Sequence, residues 1–179
     1  MVYFLLADGF EETEAIAPAD LLRRAGFDVN LVSIKSDLIV KSVHDVNVVC
    51  DLLVTDIDLE LMELLVIPGG GPGVENLDKF SELDDILNYA VNNNIPIGAI
   101  CAAPSLLGKR DLLKGKRVVC FPGFEKYLNG AEIVDSPVVI DGNIITSKAA
   151  GTAIDFGLEL IKYLKGKDFS DNIKNAIFY

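Results

Sequence analysis

Ile95-Pro-Ile-Gly-Ala-Ile-Cys101-Ala-Ala-Pro-Ser-Leu-Leu-Gly108 is the stretch on which the reading of this chain turns. Ile95 to Ile100 reads as a short buried strand, and a helix is predicted from near Ala102. Cys101 falls at the corner between them. Pro104 suits a first helical turn, where its missing N–H is no loss. Ala99 and Ala103 stand two residues to either side of the cysteine. Small–x–nucleophile–x–small is the spacing of a nucleophile elbow, with Cys in the place of Ser. Small side chains are needed there because strand and helix approach closely at a tight corner. A thiol at a helix N-terminus meets the positive end of the macrodipole, which is expected to lower its pKa. The competing reading is a buried cysteine packed as a small hydrophobe.

Outward from that stretch, composition sets the frame. The chain has 179 residues, half of them hydrophobic, which suits one domain, 1–179, with a full core. The net charge of −11 argues against nucleic acid or an anionic membrane as partner. Three cysteines (Cys50, Cys101, Cys120) without a CxxC pair argue against a disulfide framework. His44 is the one histidine, so no metal site is expected. The opening Met1 to Ala7 is apolar but stops at Asp8, too short for a signal peptide or a membrane span. Cytoplasmic residence is the expectation.

Buried strands and helical patterns alternate along the chain. Val2 to Ala7 is a continuous apolar run, as in a strand covered on both faces of a parallel sheet. After the turn Asp8-Gly9-Phe10, Glu11 to Ala25 reads as a helix, with Ile16, Ala19, Leu22 and Ala25 at helical spacing and Gly26 as its stop. Phe27 to Ile34 reads as a strand. Leu38 to Val40 and Val46 to Cys50 read as a short antiparallel excursion, and Asp51 to Leu61 as irregular. Leu64 to Ile67 is a further buried strand ending in Pro68-Gly69-Gly70-Gly71-Pro72-Gly73, followed by a helix over Ser81 to Asn92. Beyond the elbow, Lys116 to Cys120 reads as a strand. Val138 to Thr146 reads as a hairpin turning at Asp141-Gly142 or Gly142-Asn143. Gly151 to Leu164 is an amphipathic helix, and the last dozen residues a short surface helix. The pattern predicts an α/β fold with a mainly parallel sheet and helices on both faces. Ligands of such sheets bind outside the carboxyl ends of the strands, where Asp8–Glu14, Pro68–Gly73 and Cys101 all arrive.

Each of these segments carries candidate chemistry. Glu11, Glu12 and Glu14 crowd the first turn of a helix, where acids are favoured in any case. A carboxyl group beside a thiol can nevertheless relay a proton, provided its pKa is raised by burial. Gly69 and Gly70 let backbone N–H groups approach a ligand, as an oxyanion hole requires. A dinucleotide fingerprint fails on spacing, because glycine is needed at position 74 or 76 and these are Val74 and Asn76. A receiver-type phosphorylation site fails as well, since Pro68 ends the strand that would carry its aspartate. His44 lies in a hairpin far along the chain from Cys101 and reads first as a solvated loop residue. Cys50 and Cys120 read as packing residues.

Taken together, Asp8-Gly-Phe-Glu-Glu-Thr-Glu14, Ile67-Pro-Gly-Gly70, Ala99-Ile-Cys101-Ala-Ala-Pro104 and Ile145-Thr-Ser-Lys-Ala-Ala-Gly-Thr152 resemble the ThiJ/PfpI superfamily, in its protein-deglycase branch. The motifs occur in family order across nearly the whole chain. The resemblance implies a flavodoxin-like three-layer α/β/α sandwich, a homodimer and no cofactor. It maps the reactive cysteine onto Cys101, the glutamate that hydrogen-bonds it onto Glu14, and the oxyanion amides onto Gly70 and Ala102. Two positions depart from the pattern. Ala102 follows the cysteine where nucleophile-pair members carry histidine, and Phe121 stands where the deglycase branch often places a histidine. Gly69, Phe121 and His44 are therefore the candidates for a surrounding shell. His44 itself falls where relatives carry an arginine. The expected activity is a cysteine-dependent reaction on small reactive carbonyls or glycated adducts. The alternative is a redox-sensing or chaperone-like protein whose cysteine is oxidised to the sulfinic acid, and a cysteine peptidase ranks last.

Overall fold

The computed structural model describes residues 1–179. Its strands are β1 (Val2–Leu6), β2 (Val29–Ser33), β3 (Ile39–Lys41), β4 (Asn47–Val49), β5 (Leu52–Leu53), β6 (Leu64–Ile67), β7 (Ile97–Ile100), β8 (Arg117–Val118), β9 (Glu132–Ile133), β10 (Val138–Asp141) and β11 (Ile144–Ser147). Its α-helices are α1 (Glu12–Arg24), α2 (Gly71–Asp78), α3 (Leu83–Asn92), α4 (Pro104–Gly108), α5 (Ala153–Lys165) and α6 (Lys167–Ala176). Seven strands form the central sheet in the order β10-β11-β7-β6-β1-β2-β5. Every neighbouring pair is parallel except the β10–β11 hairpin.

Strand residues alternate between two cores, which explains the unbroken apolar runs. Tyr3, Leu5, Leu65, Ile67, Ile97, Ala99 and Ile144 face one side, where Val74, Leu77, Ile86, Leu87 and Leu106 of α2, α3 and α4 cover them. Val2, Phe4, Leu6, Leu31, Leu64, Val66 and Ile145 face the other, under Ala15, Ala19 and Leu22 of α1 and Phe156, Leu160 and Ile161 of α5. A strand with no solvent face has no polar positions to alternate with. Gly98 is required in β7 because a Cβ there would stand 2.9 Å from the Phe156 ring. The result is the three-layer sandwich expected from the motifs.

Several local readings shift. Asp51 to Leu61 contains β5 at the sheet edge and two short 3-10 turns. The glycine turn after β6 continues directly into α2, which the run of glycines and prolines conceals. Lys116 to Cys120 shrinks to β8, which pairs with β9 in a separate two-stranded ribbon outside the central sheet. The β10–β11 hairpin turns at Gly142-Asn143, since Asp141 pairs with Ile144, and Gly142 takes φ 62° as the first residue of the turn. The elbow helix begins at Pro104, two residues later than expected, and runs for only five residues. No helix is long and apolar enough to cross a membrane.

Candidate active site at the cysteine elbow

β7 delivers Cys101 to the carboxyl edge of the sheet, between the ends of β6 and β11. Cys101 adopts φ 64°, a left-handed conformation that costs a residue with a Cβ about 1–3 kcal/mol. Its main chain is pinned on both sides. The Cys101 N–H donates to the Ser147 carbonyl at 2.9 Å, and the Phe121 N–H donates to the Cys101 carbonyl at 2.8 Å. This strained corner turns the side chain off the strand and toward the glycine loop after β6.

The glycine loop and the first loop lock together. Gly70 has φ 89°, and a Cβ there would meet the main chain of Gly9, Phe10 and Glu11. The Glu11 N–H donates to the Gly69 carbonyl at 3.0 Å, and the Gly73 N–H donates to the Gly9 carbonyl at 3.0 Å. Glu11 also serves as N-cap of α1, its carboxylate accepting the Glu14 N–H at 2.7 Å. Glu14 then sits in the first turn of α1, directed inward, with only 1% of its surface exposed.

Four backbone N–H groups and one thiol converge here. Glu14 Oε2 accepts the Gly69 N–H at 2.8 Å. The Glu14 carboxyl is also hydrogen-bonded to the Ala150 N–H and to the Cys101 side chain. The Cys101 sulfur receives the N–H groups of Gly70 and Ala102. Gly69 is the spacer of the pair: a Cβ on it would lie 2.7 Å from Cys101 Cβ and 3.1 Å from Sγ, and closer still to the Glu14 carboxylate. Any larger residue at 69 would fill the space in which thiol and carboxyl meet.

Burial pushes the Glu14 carboxyl from its ordinary 4.5 up to about 7; the Cys101 thiol and the Gly69 and Ala150 N–H groups restrain the rise, and the Glu11 charge adds to it. Burial and the Glu14 charge raise the Cys101 thiol well above its ordinary value, and the Gly70 and Ala102 N–H groups offset part of this. The macrodipole expectation is therefore corrected. A five-residue helix supplies little dipole, and an anionic carboxyl beside a buried sulfur opposes the thiolate. At neutral pH the resting pair is a thiol beside a partly ionised carboxyl.

The remaining candidates sit as follows. Phe121 is tied to Cys101 through its main chain, and the residue is 42% exposed. His44 is exposed, with Nδ1 2.9 Å from Glu12 Oε1, and no hydrogen bond joins it to Cys101 or Glu14. Glu11, Glu12 and His44 bring three ligand-type atoms within 4.8 Å of one another, a grouping accounted for by the helix cap and the His44–Glu12 contact. Cys50 and Cys120 are buried free thiols pushed up to about 12 and about 11 by burial. Ala150 and Ser147 meet the Cys101–Glu14 pair through main-chain groups. The Ile145–Thr152 motif marked their segment, but no side chain signalled the role. Thr152 Oγ1 accepts the Ala149 N–H at 3.2 Å and shares a 2.7 Å bond with Ser147 Oγ, which holds that turn in place.

The fold and this corner define a flavodoxin-like α/β protein with an elbow cysteine paired to a buried glutamate. Residues 1–163 match the model of the DJ-1/PfpI family, and the chain belongs to that family, in its DJ-1 branch. It is 37% identical over 175 residues to protein DJ-1 homolog A of Arabidopsis thaliana, covering 96% of this chain but only 45% of the plant protein. It is 36% identical over 166 residues to protein dj-1beta of Drosophila melanogaster, covering 92% of this chain and 89% of the fly protein. Among solved structures, oxidized Toxoplasma gondii DJ-1 superposes with a TM-score of 0.95 at 32% identity, covering 99% of this chain and 97% of the other.

Proposed function

We propose that the protein is a cysteine-dependent enzyme acting on small 2-oxoaldehydes such as methylglyoxal, or on the adducts they form with amines. The observation that supports this most is the buried Glu14–Cys101 pair facing the N–H groups of Gly70 and Ala102. As the sulfur attacks the aldehyde carbon, Glu14 takes the thiol proton and an S–C bond forms. The carbonyl oxygen becomes an oxyanion held by the two N–H groups, and protonation by Glu14 completes the hemithioacetal. Glu14 then carries the proton from C1 to C2 while the hydroxyl proton passes from the C1 oxygen to the C2 oxygen, which leaves a thioester of the 2-hydroxy acid on Cys101. Water cleaves the thioester, so one oxoaldehyde and one water give one 2-hydroxy acid. No cofactor enters the sequence. Peptide hydrolysis is disfavoured, because Ala102 and Phe121 supply no imidazole to protonate an amine leaving group.

The test is methylglyoxal consumption without glutathione, beside Cys101→Ser and Glu14→Gln, with intact mass recorded before and after. Turnover lost in both variants supports the reading; turnover retained in either refutes the mechanism. A second reading is a stress-related redox protein in which peroxide takes Cys101 to the sulfinic acid, with Glu14 hydrogen-bonding the new oxygens. It draws support from the similarity to the oxidized Toxoplasma gondii protein. A gain of two oxygens without carbonyl turnover would select it. We also propose a homodimer. Ile16 on α1 and Ile39, Val46 and Val49 on the adjoining hairpin are exposed, Val49 by 67%, beside the His44–Glu12 contact. Light scattering on the purified chain tests this, and a monomeric mass would refute it.

A further inference from the structure

The segment that closes β11 carries two hydroxyls that the chemistry above leaves unused. Ser147, the last residue of β11, is completely buried. A buried hydroxyl is costly unless it is hydrogen-bonded. Ser147 Oγ donates to the Pro137 carbonyl at 3.0 Å and shares the 2.7 Å bond with Thr152 Oγ1. Thr152 Oγ1 accepts the Ala149 N–H at 3.2 Å and donates to the Ala149 carbonyl at 2.8 Å. The two hydroxyl protons serve these contacts in either direction without stranding a carbonyl. When Ser147 donates to Thr152, the Pro137 carbonyl keeps the Lys148 N–H at 3.1 Å. When Thr152 donates to Ser147, the Ala149 carbonyl keeps the Thr152 N–H at 2.8 Å. The short 3-10 turn Ala150–Thr152 is thereby clamped onto the strand beside β7. Its first residue is Ala150, whose N–H reaches the buried Glu14 carboxyl. Ser147 also receives the Cys101 N–H on its carbonyl at 2.9 Å, so one segment touches both members of the reactive pair.

We propose that Thr152 is a positioning residue: its hydroxyl, backed by that of Ser147, holds the Ala150 N–H on the Glu14 carboxyl and so stabilises the carboxylate beside Cys101. Burial drives the Glu14 carboxyl up to about 7, and the Ala150 N–H is one of the groups that keep it from rising further. Loss of that donor disfavours the charged form, so the carboxyl should then titrate at higher pH. The ionisable groups facing Glu14 are the Cys101 thiol from the elbow and Glu11 from the cap of its own helix; the glycine loop and the 150–152 turn bring N–H groups. Lys148, the cation nearest that turn in sequence, is paired with Asp135 at 2.7 Å. For catalysis the inference rests on the reading above, in which Glu14 takes the thiol proton.

The deciding experiment reads the carboxyl itself and does not need turnover. The full chain, labelled at its glutamate carboxyl carbons, is titrated by NMR, and the Glu14 resonance is identified by its loss in Glu14→Gln. The wild-type midpoint should lie at about 7. Thr152→Val keeps the shape but removes the oxygen, and should move the midpoint upward by about 0.5–1 pH unit. Thr152→Ser restores the hydroxyl and should restore the midpoint. Ala150→Pro deletes the N–H itself; proline fits there, at the first position of a helical turn after Ala149 with ψ 178°. It should raise the midpoint by at least as much as Thr152→Val, and Thr152→Val should add nothing on top of it. An effect on packing alone would not show that non-additivity. An unmoved midpoint in Thr152→Val overturns the proposal, as does a shift that Thr152→Ser retains or one that adds in full to Ala150→Pro. Ser147→Ala removes the backing hydroxyl and should shift the midpoint in the same direction. An unmoved midpoint there overturns the role of the hydroxyl pair even if Thr152→Val does not fold. Methylglyoxal turnover is followed separately across pH, and its ascending limb should move with the midpoint. A limb that stays in place while the midpoint moves removes Glu14 as the base. A wild type without turnover removes the enzymatic reading, while the carboxyl titration still decides the role of Thr152.

Discussion

Replacing Glu14 with Gln should make the protein more stable at alkaline pH, even as it abolishes the chemistry. The side chain is 1% exposed, and its carboxyl titrates at about 7 in the folded state against an ordinary 4.5. A carboxyl raised by folding favours the folded state fully below pH 4.5, and this benefit is lost as pH climbs through about 7. Over the whole interval the loss is about 3 kcal/mol, at 1.36 kcal/mol for each pH unit between the two values. Between pH 5 and pH 8 about 2–3 kcal/mol of it should be visible. Gln is a neutral isostere whose amide oxygen can still accept the Gly69 N–H, so it escapes this penalty. Urea unfolding of wild type and Glu14→Gln at pH 5, 6, 7 and 8 reads the difference directly, because all other titrating groups cancel between the two proteins. The variant should be near wild type at pH 5 and ahead by about 2–3 kcal/mol at pH 8. A difference that stays flat across that range would refute the raised carboxyl. A wild type that gains on the variant as pH rises would refute the sign.

Three further outcomes follow from the same geometry. The rate of Cys101 alkylation by iodoacetamide should rise through pH about 7 as Glu14 ionises and becomes able to take the thiol proton; in Glu14→Gln the rise at that pH should disappear. Gly69→Ala should cost about 1–3 kcal/mol in urea unfolding and flatten the same alkylation profile, because its methyl displaces the carboxylate from the sulfur. Gly70→Ala combines an unfavourable positive φ with a methyl set against the main chain of residues 9–11. It should cost about 2–5 kcal/mol, and a variant with wild-type stability would show that the two loops separate easily.

Much of the architecture is legible in the residue pattern. β1, β6 and β7 announce themselves as apolar runs too short for helices, and α1, α3 and α5 by their 3.6-residue period. The elements without a local signature are those whose formation depends on neighbours. α2 starts in glycine and proline because its first residues must pass close to the loop at Gly9, and no helical propensity marks it. β8 is written in strand residues, yet its segment ends up bonded through Val119 to the Thr146 hydroxyl rather than to a strand of the central sheet. A propensity describes one strand and cannot name its partner.

The site divides along the same line. Residue order alone marked Cys101 as an elbow residue, Gly69–Gly70 as a close-approach loop and three glutamates as candidates at one helix start. These are local properties of spacing and side-chain size. Which glutamate turns inward was decided by the cap at Glu11 and the packing of α1 on the sheet. The protonation of the pair was decided there too. A helix N-terminus in sequence suggests a low thiol pKa, but desolvation and the facing carboxyl depend on what folding buries together, and they prevail over the dipole of a five-residue helix. The Ser147 carbonyl that receives the Cys101 N–H and the Ala150 N–H that reaches Glu14 are main-chain groups, which every residue carries, and only the tertiary path of the chain brings them to the site.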